Sequence, residues 1–156
     1  MEFEEIYITY WQKIFRLCMG YVNDYELAQD LAQEAFIIAW QRLPEFRNEA
    51  GIGTWIFRIA SNNCLRQIER ERRFPRSALP KNLSVEKPTH LEEKIQLLYK
   101  FISELAEVDR IIISLELENV KQAEIASIVG LLEANIRVKI HRIKEKLAQK
   151  FKHYGS

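Results

Sequence analysis

Apolar residues recur at steps of three and four along most of the chain. Phe3, Ile6, Tyr7, Tyr10, Trp11, Ile14, Leu17 and Cys18 form one wide stripe, which predicts a helix over Phe3 to Val22. Asn23-Asp24 interrupts the stripe and offers an N-cap for a second helix, from about Tyr25 to Arg42. Leu27, Leu31, Ala35 and Ile38 mark its inner side, Trp40 stands near its end, and Pro44 is expected to stop it. Residues 45–53, with Gly51 and Gly53, read as a loop. Thr54 can then cap a third helix from Trp55 to about Arg72, with Trp55, Ile59, Cys64, Leu65 and Ile68 as core.

From Phe74 to His90 the periodicity lapses and Pro75, Pro80 and Pro88 intervene, which reads as a flexible linker. It divides the chain into two small domains, 1–73 and 91–156, with 74–90 between them. Helical spacing resumes through Leu91, Ile95, Leu98, Phe101, Ile102 and Leu105, then over Asp109 to Glu118. A short helix from Gln122 to Val129, a turn at Gly130-Leu131-Leu132 and a long basic helix from Glu133 to about Phe151 complete the pattern. The run Ile111-Ile112-Ile113 is the one ambiguous place, because β-branched runs favour strands. The fold class expected is all-α, in two helical domains.

Composition narrows the classes without deciding between them. The chain has 156 residues, 47% apolar and 29% charged, with only 5 Gly and 4 Pro, which excludes collagen-like and disordered chains. No stretch approaches the roughly 20 apolar residues of a spanning helix. Glu2, Glu4 and Glu5 stand where a signal peptide has its basic start, so the expectation is a cytoplasmic protein not inserted in a membrane. Two cysteines, Cys18 and Cys64, make neither a disulfide framework nor a metal cluster, and their apolar neighbours mark them as core. Net charge is +1, unevenly spread: residues 1–56 hold 4 Lys/Arg against 9 Asp/Glu, residues 57–156 hold 19 against 13. Such a split fits one surface for a protein partner and another for a polyanion.

The second half carries the most specific local pattern, Gln122-x-x-Ile125-Ala126-x-x-x-Gly130-x-x-x-x-x-Ile136. A helix-turn-helix needs a small residue where its helices cross, here Ala126, and a turn residue tolerant of positive φ, here Gly130. The following helix holds Arg137, Lys139, Arg142, Lys144, Lys146, Lys150 and Lys152 against two Glu. The N-terminal half of such a helix reaches base edges in a major groove, which makes Arg137, His141 and Arg142 candidates for base or nearby phosphate contacts and Lys139, Lys144 and Lys146 candidates for phosphate. A solvated amphipathic helix is the plainer alternative.

In the first half, Glu26, Asp30 and Glu34 lie four apart on one helix face, either solvated, or held for a basic partner or a metal. Phe46, Trp55 and Phe57 surround the Gly-containing loop, with Asn62, Asn63 and Arg66 on the next helix. Aromatic rings, amides and arginines together are what single-stranded DNA recognition uses, although Trp55 and Phe57 serve equally well as core.

Taken together, these pieces resemble the bacterial RNA polymerase sigma factors of the extracytoplasmic-function (ECF) group, within the sigma-70 family. The resemblance to region 2 lies in Ala28-Gln29-Asp30-Leu31-Ala32-Gln33-Glu34-Ala35-Phe36, Phe46-Arg47 and Thr54-Trp55-Ile56-Phe57-Arg58-Ile59-Ala60-x-Asn62; that to region 4 lies in Leu105, Arg110, Glu124-Ile125-Ala126, Gly130 and His141-Arg142. The resemblance implies a transcription initiation factor without enzymatic activity, cofactor, metal or small-molecule substrate. It places Asp30, Gln33 and Glu34 on the surface that grips the β′ clamp helices of core RNA polymerase, and region 4 at the β flap. It places Phe46 and Asn62 at a pocket for a base flipped from the −10 element, with Arg66, Arg70 and Arg73 tracking that DNA. It makes Arg137, Lys139, His141 and Arg142 readers of the −35 promoter duplex. An anti-sigma factor, which can hold such a protein at a membrane, is the further partner implied. The group's Glu-Gly-Leu-Ser lead-in to the helix-turn-helix is here Glu118-Asn119-Val120-Lys121, so Asn119 is expected at the turn.

Two other readings use the same residues. One is a helix-turn-helix regulator binding duplex DNA alone, with residues 1–73 as a sensor or dimerisation domain. The other is a metal-dependent nucleotide hydrolase built on Glu26, Asp30 and Glu34. No phosphate-binding Gly loop, metal-spaced Cys/His set or nucleophile–base pair supports catalysis.

Overall fold

The computed structural model describes residues 2–49, 51–73 and 92–154, with the backbone alone for 68–73. Among these residues there are seven α-helices, one 3₁₀ turn and no strand. Three helices, α1 (Phe3–Val22), α2 (Tyr25–Arg42) and α3 (Ile52–Arg73), pack on one another; four more, α4 (Glu93–Ser103), α5 (Glu107–Leu117), α6 (Gln122–Val129) and α7 (Glu133–Tyr154), form a second group. The linker read over 74–90, and His90 with it, lie outside the described residues.

The α1–α2 corner is built as the sequence predicts. Asn23 adopts the left-handed region (φ 49°) and its N–H closes α1 onto the Met19 carbonyl. Asp24 caps α2, its Oδ1 accepting from the Leu27 N–H at 3.1 Å. Pro44 falls within a 3₁₀ turn (Leu43–Glu45) that follows α2, because an early-helix position loses no hydrogen bond to proline.

The start of α3 differs from expectation. It begins at Ile52, so Thr54 is a buried first-turn residue rather than the N-cap. Gly53, read as a loop glycine, lies inside the helix, where the Tyr10 ring of α1 comes against it and leaves little room for a side chain; a Cβ there would sit 3.0 Å from the Tyr10 hydroxyl oxygen. Of the predicted α3 core, Ile59 and Cys64 are buried, Trp55 and Leu65 are half-buried, and the Ile68 side chain lies outside the described set.

Ile111-Ile112-Ile113 is helical, and all five residues from Ile111 to Leu115 are buried. The run needs no polar face because α5 touches α4, α6 and α7 in its own group and also α1 and α3 in the other. Burying each isoleucine contributes about 1.5–3 kcal/mol, which outweighs a helix-propensity deficit of less than ~1 kcal/mol per residue.

The two groups are therefore in contact. α1 lies against α4 and α5, and α3 lies against α5 and α6. Gly20 of α1 makes the closest crossing: a Cβ there would overlap the Ser114 hydroxyl of α5. At the rim, Arg16 and Glu118 form a two-point ion pair (Nε–Oε1 2.5 Å, Nη2–Oε2 2.9 Å) that raises the Arg16 pKa, chiefly through this hydrogen bond. Arg110 of α5 donates to the Leu105 carbonyl at 2.8 Å and to the Tyr21 carbonyl of α1 at 3.2 Å.

Candidate nucleic-acid interface

The 3₁₀ turn sets up the first surface. The Phe46 N–H donates to the Leu43 carbonyl at 3.0 Å, which aims the chain back over α3. Phe46 then packs against Trp55 with ring centroids 4.9 Å apart and the planes tilted by 42°, and both rings are half-buried. Glu45, Arg47, Glu49 and Arg58 complete an open cavity of about 300 Å³ around them. Phe57 faces inward as core, against Tyr10.

Along α3 the steps from Trp55 to Arg58, Asn62 and Arg66 are three, four and four, so these residues share one face. Asn62 and Arg66 are exposed, with Arg66 Nε donating to the Asn62 carbonyl at 3.4 Å. The helix continues through Arg70 and Arg73, whose side chains lie outside the described set. Asn63, grouped with Asn62 by composition, is buried and structural: its amide donates to the Leu31 carbonyl at 3.1 Å and to Glu34 Oε2 at 3.3 Å. The signal that separates them is the helical period, since Asn63 falls four after Ile59 and seven after Ile56, both buried.

The second surface is the outer side of α2. Glu26, Asp30 and Gln33 are exposed, while Glu34 is half-buried beside Asn63. Gln33 also borders an apolar groove of about 350 Å³ lined by Phe3, Tyr7, Phe36, Ile37 and Trp40. Trp40 is 62% exposed and Ile37 55%, so two large apolar side chains at this groove are uncovered. Ile37 lies outside the pattern that marks the α2 core; its place four after Gln33, with Trp40 three further on, is the trace it leaves in the sequence. Among the described residues no group of three or more His, Cys, Asp or Glu is placed to hold a metal.

The third surface is the helix-turn-helix. Gly130 takes φ 76° and its N–H and that of Leu131 both return to the Ala126 carbonyl, at 2.9 and 3.0 Å. Asn119 takes the lead-in turn at φ 62°. Ile125, Ile136 and Ile140 fill the space between α6 and α7. Arg137, His141 and Arg142 are exposed, and His141 Nε2 meets Glu145 Oε1 at 3.2 Å. Lys139 is half-buried on the flank and paired with Asp109 of α5 at 3.3 Å; Lys144 and Lys150 similarly meet Glu116 and Glu104, at 3.8 and 3.4 Å.

Residues 6–74 match the sequence model of Sigma-70 region 2, and residues 95–147 that of Sigma-70 region 4. The RNA polymerase sigma-H factor of Pseudomonas aeruginosa is 30% identical over 92% of this chain and 82% of its own. The chain belongs to the sigma-70 family, in its ECF group. It is accordingly a transcription initiation factor by family, and its relatives are sigma factors rather than enzymes. The ECF RNA polymerase sigma-E factor of Escherichia coli is 29% identical over 95% of this chain and 85% of its own. The fold is shared with the sigma factor RpoE of Bartonella quintana, solved in complex with the anti-sigma factor NepR: TM-score 0.80, 19% identity, 96% of each chain covered. No described helix of this sigma factor is long and apolar enough to cross a membrane.

Proposed function

We propose that this sigma factor binds core RNA polymerase and directs it to promoters, reading the −35 duplex with α7 and capturing a melted −10 base beside α3. The observation that carries the reading is the Phe46–Trp55 pair at the head of the Arg58–Asn62–Arg66 face. Unstacking a base costs a few kcal/mol, and stacking it on an aromatic side chain returns about 1–3 kcal/mol, so a half-exposed ring pair beside cations can help hold a strand open. Phe46 takes the base, Asn62 reads its edge, and Arg66, Arg70 and Arg73 follow the backbone. On α7, Arg137, His141 and Arg142 face the base edges and Lys139 contacts phosphate from the flank. Asp30, Gln33 and Glu34 grip the β′ clamp helices, and the uncovered groove at Ile37 and Trp40 extends that surface. Residues 91–156 meet the β flap. The functional units are 1–73 and 91–156, joined by 74–90, and neither performs chemistry of its own. An anti-sigma factor, as in the RpoE–NepR complex, is the inhibitory partner, and one anchored in a membrane would hold an otherwise cytoplasmic protein there.

The deciding experiment is a pull-down on core RNA polymerase with wild type and with Asp30→Ala combined with Gln33→Ala. Retention of wild type that the double change weakens supports the reading. Absence of wild-type retention at low salt overturns it and favours a DNA regulator acting alone. Transcription with Phe46→Ala then tests the pocket, through lost promoter opening with polymerase binding retained.

A further inference from the structure

Arg58 belongs to two places at once. It lines the Phe46–Trp55 cavity, three residues after Trp55 and four before Asn62 on the same helix face. It also reaches across to the other helical group, where its Nη2 donates to the Ser127 hydroxyl of α6 at 2.8 Å. The cavity's other charged residues are Arg47 and two carboxylates, Glu45 and Glu49. A strand whose base enters this cavity brings phosphate past those carboxylates, so a second cation on the α3 side matters to its binding. The Ser127 hydroxyl is a neutral acceptor on an exposed residue. A phosphate oxygen is a charged acceptor that a guanidinium can meet through two parallel N–H groups, which adds the attraction of opposite charges to the single bond the hydroxyl offers.

We propose that Arg58 is a further backbone-phosphate contact of the Phe46–Trp55 pocket, and that Ser127 of α6 holds the same guanidinium in the packed chain, so that a single strand and α6 compete for it. The proposal rests on reading that cavity as a base-capture site. It makes the grip of α6 on α3 sensitive to nucleic acid: a strand seated in the pocket removes one of the hydrogen bonds between the two helical groups.

The test uses the full chain and a short fluorescent single-stranded oligonucleotide, followed by anisotropy across a salt series. Ser127→Ala is expected to tighten binding about threefold by releasing the arginine. Arg58→Gln, which keeps most of the stem, is expected to weaken binding about threefold and to reduce the salt slope by about 0.7, the share of one single-strand phosphate. The double variant should bind like Arg58→Gln alone. Equal binding by wild type and Ser127→Ala, including no binding by either, overturns the competition; so does the same gain from Ser127→Ala in the Arg58→Gln background. Phe46→Ala, made in the Ser127→Ala chain, separates the two claims. Unchanged affinity there overturns the base-capture reading itself. Lost affinity there, with no effect of Ser127→Ala on the parent, overturns only the role of α6.

Discussion

Arg16 and Glu118 lie 102 residues apart in sequence and meet through two hydrogen bonds where α1 passes the end of α5. The Glu118 side chain is 8% exposed and that of Arg16 44%, so the pair is shielded on one side only. Its worth is bounded accordingly at about 1 kcal/mol. Glu118→Ala should loosen the two helical groups more than it destabilises either. The expected result is a larger radius of gyration, with little change in helicity. An unchanged radius would mean that the apolar contact between α1 and α5 holds the groups together alone.

Gly20 and Ser114 give a sharper probe of the same contact. Gly20→Ala drives a methyl group into the Ser114 hydroxyl and should cost about 1–3 kcal/mol in urea denaturation. Ser114→Ala alone should be neutral or slightly stabilising, since its buried hydroxyl has no hydrogen-bond partner among the described residues. In the double variant the Ser114 Cβ still crowds the new methyl, so about half the loss should return. Strict additivity would show that the two residues do not meet in solution.

Neighbouring asparagines are expected to separate stability from DNA binding. Asn63→Ala removes two hydrogen bonds from a buried amide and leaves Glu34 and the Leu31 carbonyl without that donor, a loss of about 1–3 kcal/mol. Asn62→Ala should stay within about 0.5 kcal/mol of wild type in stability. It should nonetheless impair transcription from a duplex promoter more than from one already melted. Equal loss of stability from both changes would contradict the assigned helix face.

Cys18 and Cys64 are buried side by side, Sγ to Sγ 3.7 Å. The hydrogen bond that the Cys18 S–H shares with the Cys64 sulfur, then burial, pushes the Cys18 thiol well above its ordinary range. The folded chain thus holds this proton more tightly than the unfolded chain does. Stability is intact below pH about 8.5 and declines as pH rises above it. Burial also raises Tyr99, which adds to the decline near pH 10. Urea midpoints should therefore fall between about pH 7 and pH 9.5, and less so in Cys18→Ala. Alkylation of both thiols should follow unfolding rather than precede it.

The features legible in the sequence were those set by neighbours within a few residues. The Asn23-Asp24 corner, the Gly130 turn and the stripes of α1 and α7 are local decisions of capping and period. What stayed hidden depends on residues far along the chain. Gly53 looks like a loop residue until Tyr10 is known to lie against it. Arg16, Arg58 and Glu118 look like solvated charges because their partners stand on the other half of the chain. The candidate site residues could be named from the sequence as types. Their grouping was not: Arg58 at the aromatic pair, Ile37 and Trp40 beside Gln33, and Lys139 turned toward Asp109 all required the packing.

One arginine has a consequence for how the chain can be divided. The last turn of α1 holds no basic residue of its own, and its Tyr21 carbonyl receives the Arg110 guanidinium of α5. The first helix thus borrows its C-terminal counter-charge from a residue 89 positions downstream. A fragment ending at residue 73 keeps every helix of the first group yet gives up that loan, so α1 in the fragment should fray from its C-terminal end. The boundary drawn by the sequence is not a boundary of electrostatic self-sufficiency.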